Sequence, residues 1–140
     1  QVNENLDITK TDEYKEFVTV NSFLNNLKTV SYGIVICQGK EDEYYDSTTI
    51  AKAANGCTQL NGISAAFAFA RVSDNVIHIS GRSDGTVNVQ ILCEKMGGGG
   101  HFAMAAAQIK DKSMKEVEQL ITETILENAD SARKSRDKGR

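Results

Sequence analysis

Ser64-Ala-Ala-Phe-Ala-Phe-Ala-Arg-Val-Ser-Asp-Asn-Val-Ile-His-Ile-Ser80 is the stretch that decides the fold. From Ser64 to Val72 the residues alternate, with Phe67 and Phe69 on one face and Ala66, Ala68 and Ala70 on the other, because successive strand side chains point to opposite sides. Ser73-Asp74-Asn75 is turn chemistry and Val76 to Ser80 resumes a strand, so the segment predicts an antiparallel hairpin. Its alanine face leaves room for a helix, or for a second copy of the chain in a homodimer, to lie close against the sheet. His78 shares a face with Val76 and Ser80 and reads as a hydrogen-bonded sheet residue.

Upstream, Tyr32 to Cys37 is a short apolar run rich in β-branched residues, the pattern of a strand buried on both faces. Glu41, Asp42, Glu43 and Asp46 read as a solvated loop before a helix over Ser47 to Leu60, whose apolar stripe is Ile50, Ala53, Ala54, Cys57 and Leu60 and whose stop is Asn61-Gly62. Thr11 to Leu27 has helical spacing and reads as a connector. Downstream, Val89, Leu92, Cys93 and Met96 give Thr86 to Met96 a helical stripe that the glycines end. A helical turn is then predicted near His101, a strand over Ala107 to Lys110, and a helix over Ser113 to Leu126 opened by a Ser113/Glu116 capping box. The alternation predicts an α/β or α+β domain, with a mixed sheet of about four or five strands flanked by helices.

A chain of 140 residues supports one domain with a hydrophobic core. The boundaries read as a connector helix over 1–30, one folded domain over 31–128 and a disordered basic tail over 129–140. Cys37, Cys57 and Cys93 sit among apolar neighbours without metal-binding spacing and read as reduced core residues of a cytosolic chain. The net charge of −3 hides a tail with five basic residues and one acid from Ser131 to Arg140, which leaves −7 on the rest. Such an acidic body argues against general nucleic-acid binding, which depends on Lys and Arg neutralising many phosphates. No apolar run approaches the about 18 residues of a membrane span.

Gly97-Gly98-Gly99-Gly100-His101 carries the chemistry. Adjacent glycines are entropically costly to order, which suits a place where the backbone itself approaches a ligand, and a phosphate is the natural visitor to bare amides. Gly98, Gly99 and Gly100 are the candidate cradle, and His101, placed at a helix N-terminus, adds a donor. The other reading is a flexible loop. Ser80-Gly81-Arg82-Ser83 supplies the opposing grip, with Arg82 able to hold a phosphate bidentately and Ser83 adding a hydroxyl. Asn88 is the candidate base-contacting residue, with a helix-terminus hydrogen bond as its alternative.

Ser80 to Ser83, followed by Asn88-Val89-Gln90, a helix and then Gly98-Gly99-Gly100-His101, resembles the C-terminal, DHH-associated domain of the Asp-His-His phosphoesterases. Among these it is most similar to the membrane-anchored cyclic-di-AMP phosphodiesterases. The resemblance runs from about Gly33 to Ile125 in element order and is specific over Ser80 to Gln108. The family at large closes its glycine motif with Ala-Ala-Gly, whereas His101 here precedes Phe102-Ala103, a departure shared with the membrane-anchored branch.

The resemblance implies a substrate-binding half of an enzyme that hydrolyses cyclic-di-AMP to linear pApA. It places the metals, usually manganese, and all catalytic residues in an N-terminal Asp-His-His domain of the same polypeptide, with none in this chain. It also implies a parent anchored in the plasma membrane with this domain on the cytoplasmic face. Alternatives are a short-oligonucleotide or 3′-phosphoadenosine phosphate phosphatase of the same family, and a nucleic-acid-binding module.

Overall fold

A computed structural model describes residues 4–133, and the Ser64–Ser80 hairpin lies at the centre of its sheet. In chain order the elements are α1 (Glu4–Leu24), β1 (Lys28–Ser31), β2 (Ile34–Gln38), α2 (Ser47–Cys57), β3 (Ala65–Ser73), β4 (Val76–Ser83), α3 (Val89–Lys95), β5 (Gly99–His101), β6 (Met104–Lys110) and α4 (Met114–Ala132). The fold is α/β. Its six-stranded sheet has the order β1-β2-β3-β4-β6-β5, in which β2 and β3 pair in parallel and the other neighbours are antiparallel.

Six strands replace the four or five expected. The additions β1 and β5 lie at the two edges, where short segments carry little alternation for a sequence pattern to show. β5 also corrects the expectation of a helical turn near His101. Gly99–His101 is extended and pairs with Met104–Ala106, so β6 begins at Met104 instead of Ala107.

The alternation of β3 sorts two cores. Phe67 and Phe69 are fully buried with Ile77 and Ile79, under Leu92 of α3 and Val117, Ile121 and Ile125 of α4. Each such side chain contributes about 1.5–3 kcal/mol by leaving water. Gly81 has to be small here, since a Cβ would stand 2.8 Å from the Phe67 ring. On the other face Ala66, Ala68 and Ala70 pack with Ile50, Ala53, Ala54 and Cys57 of α2 and with Phe23 of α1. The alanine face is thus covered within the chain and is not left open for a second copy.

Helix ends differ from the sequence reading where a local hydrogen bond intervenes. α3 starts at Val89 instead of Thr86, because Asp84 Oδ1 accepts from Thr86 N at 3.0 Å in a side-chain-closed turn and Asn88 caps the helix. α4 opens with the expected capping box and runs on past Leu126 to Ala132. Its end is tied in by Asn88 N donating to Ala132 O at 2.7 Å and by Arg133 donating to Ser31 Oγ at 2.8 Å and Tyr32 O at 2.9 Å. Residues 129–133 therefore belong to the folded body, and the remainder of the basic tail lies outside the described residues. Cys37, Cys57 and Cys93 are buried and free. Burial pushes the Cys93 thiol up to about 12.

Candidate functional site

The sheet face that α2 covers is only half covered. The helix packs on β3 and β4, while β6 and β5 continue the same face beyond it, leaving Met104 and Gln108 exposed. The result is a groove of about 370 Å³ between the first turns of α2 and the strands, walled by Ser47, Thr48 and Ala51 on one side and by His78, Ser80, Arg82, Met104, Gly99 and His101 among others on the other. Strand periodicity explains the membership. His78, Ser80 and Arg82 alternate along β4 on this face, Arg82 pairs with Met104, and Met104 pairs in turn with His101.

Arg82 is half-buried, and among the described residues no carboxylate forms an ion pair with it. Its guanidinium donates to the Gly81 carbonyl at 2.9 Å, and burial lowers its pKa from the ordinary arginine value. A cation withdrawn from water without a partner is unfavourable, so the position favours an anion entering the groove. His78 lies beside it, with Nε2 3.2 Å from Ser80 Oγ and Nδ1 3.4 Å from Gln108 Nε2. Burial first, and the Arg82 charge second, lower the His78 pKa and keep the imidazole neutral near pH 7. His78 is the hydrogen-bonded sheet residue expected, and it also lines the groove.

The glycines divide into distinct jobs. Gly97 has φ +90° just after α3, the left-handed residue that stops the helix. A Cβ on Gly98 would lie 2.0 Å from Ala106 O, and one on Gly100, at φ +146°, would lie 2.5 Å from Ala105 Cα. These two are glycine because β6 passes too close. Gly99 is different, since a Cβ there meets nothing within 4 Å, and its register opposite Ala106 puts that empty space on the groove. Among the described residues no neighbour requires Gly99 to lack a side chain. It forms part of the edge strand, whose outer main-chain groups have no strand neighbour.

Of the residues singled out in the sequence, the structure brings Arg82, Gly99, Gly100 and His101 together on the groove. It does not bring Ser83, Asn88 or Gly98. Ser83 points to the other face, as its neighbour Arg82 requires, and its Oγ accepts from Gly85 N at 3.1 Å. Asn88 Oδ1 is occupied in accepting from Ile91 N at 3.2 Å, the helix-terminus alternative. Gly98 N donates back to Cys93 O at 2.8 Å in the turn after α3. His101 lies in a strand and not at a helix N-terminus. The helix end that does border the groove is that of α2, through Ser47 and Thr48, which no local motif marked. The hairpin is held by its tip, since Ser83 N donates to Ala103 O and Val89 N to Phe102 O.

Among the described residues no three His, Cys, Asp or Glu side chains come together to hold a metal ion. No described helix is long and apolar enough to cross a membrane.

The fold and the groove define the class first, an α/β domain whose mixed sheet ends in the glycine-rich edge strand β5 beside an arginine that has no carboxylate partner among the described residues. Within that class the chain belongs to the DHHA1 domain family, whose pattern matches residues 28–128. It is 43% identical over 94 residues to a cyclic-di-AMP phosphodiesterase, GdpP, of Geobacillus thermodenitrificans, covering 67% of this chain and 14% of that protein. It is 34% identical over 114 residues to the cyclic-di-AMP phosphodiesterase PdeA of Listeria monocytogenes, covering 81% of this chain and 17% of the relative. The chain thus spans less than a fifth of either relative's length. In fold it is similar to an exopolyphosphatase-related protein from Bacteroides fragilis, with TM-score 0.68 and 16% identity over 81% of this chain and 34% of that one. A pGpG-specific phosphodiesterase, PggH, from Vibrio cholerae gives TM-score 0.55 at 19% identity, over 81% of this chain and 40% of that one.

Proposed function

We propose that this chain is the substrate-holding domain of a phosphodiesterase that converts cyclic-di-AMP to linear pApA. The observation that carries the reading is Arg82, half-buried, without a carboxylate partner among the described residues, and lining the same groove as the open space above Gly99. The kinship with phosphodiesterases named for cyclic-di-AMP supports the choice of substrate.

In this reading Arg82 takes a phosphate oxygen pair through its guanidinium, the β5 main chain at Gly99 and Gly100 approaches the same phosphate, and His101 adds a side-chain donor. Ser47 and Thr48, at the positive end of the α2 dipole, face the phosphate from across the groove. The neutral His78 holds Ser80 and so keeps the wall beside Arg82 in one arrangement. These groups bind and orient the phosphodiester, and fixing a substrate in reactive geometry is itself a large part of catalysis. Hydrolysis belongs to an Asp-His-His domain of the same polypeptide, with manganese as its metal. Such a parent would be anchored in the plasma membrane and would present this domain to cytoplasmic nucleotide.

The test pairs binding with turnover. The 140-residue chain is titrated with cyclic-di-AMP, pApA and 3′-phosphoadenosine phosphate, then assayed with manganese alone and again when joined to an Asp-His-His domain. The expected outcome is binding without turnover by the chain alone, and cyclic-di-AMP hydrolysis only by the joined protein. Turnover by the purified chain with manganese, or preference of the joined protein for 3′-phosphoadenosine phosphate, would overturn the reading.

A further inference from the structure

The cysteines are nucleophilic side chains that the groove does not use. Cys37 lies on β2 and Cys57 is the last residue of α2, and their Sγ atoms stand 3.8 Å apart in the core on the α1 and α2 side of the sheet. Cys93 is packed in the core on the opposite side. The sheet therefore separates one pair of thiols from the third. A cavity of about 470 Å³ opens at the end of β2, bordered by Cys37, Gln38 and Gly39 and by Ser22 and Asn26 of α1 among others. It shares no bordering residue with the groove at Arg82. A small solute entering this cavity meets β2 at Cys37, one sulfur contact away from Cys57.

We propose that Cys37 and Cys57 form a peroxide-sensitive redox site that closes into a disulfide and ties β2 to the end of α2. The proposal is independent of the phosphate site at Arg82. The hydrogen bond between the two sulfurs, with the Cys37 thiol as donor, raises the Cys37 pKa, as does burial, and lowers that of Cys57. Cys57 is thus the sulfur with more thiolate character. Cys57 Sγ attacks one oxygen of hydrogen peroxide and the O–O bond breaks, giving a Cys57 sulfenic acid and one water. Cys37 Sγ then displaces the sulfenic hydroxyl, which takes the Cys37 proton and leaves as a second water. The two thiols lose two electrons and the peroxide gains them. A disulfide needs its sulfurs about 2.05 Å apart, so the pair closes by about 1.8 Å from its reduced separation. The first turn of α2 borders the groove and its last residue is Cys57, so one helix carries both the redox site and a wall of the groove.

The reduced 140-residue chain is treated with hydrogen peroxide, its remaining thiols are alkylated, and its tryptic peptides are mapped by mass without reductant. The expected result is the loss of two hydrogens from the intact chain and a link between the peptide of residues 29–40, which holds Cys37, and that of residues 53–71, which holds Cys57. Cys93 should be recovered alkylated, and dithiothreitol should restore the starting mass. In urea, where the sheet no longer keeps the thiols apart, links to Cys93 should join the mixture. Cys57→Ala, with its fold checked by a melting curve, should give no intramolecular link, and the wild-type map decides by itself if that variant does not fold. Cys37 and Cys57 both recovered alkylated after peroxide, either of them oxidised singly beyond the sulfenic acid, or links to Cys93 formed in the folded chain as readily as the Cys37–Cys57 link, would overturn the proposal.

Discussion

Gly99 and Ala106 stand opposite each other across the β5–β6 hairpin, and between them they put nothing larger than one methyl group onto the groove face beside Arg82. The sheet is bare where β4 offers a guanidinium that has no carboxylate partner among the described residues. That juxtaposition gives the glycines different expected behaviours.

Gly99→Ala should fold with an unchanged melting temperature, since its Cβ has free space. The same methyl would occupy the space a phosphate needs, so nucleotide binding should fall tenfold or more. Gly98→Ala and Gly100→Ala should instead lower stability, because their Cβ atoms run into the β6 main chain at 2.0 and 2.5 Å, and overpacking of this kind costs about 1–3 kcal/mol or more. Melting temperature and phosphate affinity measured on all three proteins check the pattern. A stable Gly99→Ala protein with wild-type affinity would sink the cradle.

Arg82→Met should weaken phosphate binding without destabilising the fold, because it removes a half-buried cation that lacks a carboxylate partner among the described residues. A charge-assisted contact contributes about 1.5–3 kcal/mol, so affinity should drop roughly tenfold to a hundredfold. Melting temperature should hold or rise. A large loss of stability with affinity retained would instead assign Arg82 a structural part.

His78 makes stability depend on pH in a stated direction. Its folded pKa lies below the ordinary value, from burial and then from Arg82, so the unfolded chain takes up the proton first as pH falls. The stability this contributes is complete above about pH 6.5 and is lost as pH descends through the folded pKa. Between pH 7.5 and 5.5 the melting temperature of the wild-type chain should fall more than that of His78→Gln. Parallel pH profiles for the two proteins would contradict this.

Ser113→Ala should destabilise the domain without touching the groove. Ser113 Oγ accepts from Glu116 N at 3.0 Å and Glu116 Oε1 accepts from Ser113 N at 2.8 Å, and loss of such a cap costs about 0.5–2 kcal/mol. Urea unfolding should show the loss, with phosphate affinity unchanged. The comparison separates damage to α4 from damage to the site.

The sequence by itself determined the elements whose signal is local. Alternation from Ser64 to Ser80 set the central hairpin and sorted Phe67 from Ala68. The Ser113/Glu116 spacing marked the start of α4, and the residues from Ser80 to His101 carried the family. Each of these follows from covalent geometry, since strand period and cap spacing are properties of a few neighbouring residues. Tertiary structure alone decided the rest. Gly99–His101 became a strand because β6 supplies hydrogen-bonding partners, which a side-chain-free segment cannot advertise. Ser83 left the site because Arg82 faced it, a consequence of pairing register. The groove itself exists because α2 covers β3 and β4 and leaves β6 open, so that Ser47, His78 and Met104 line one space across distances in sequence that no local pattern spans.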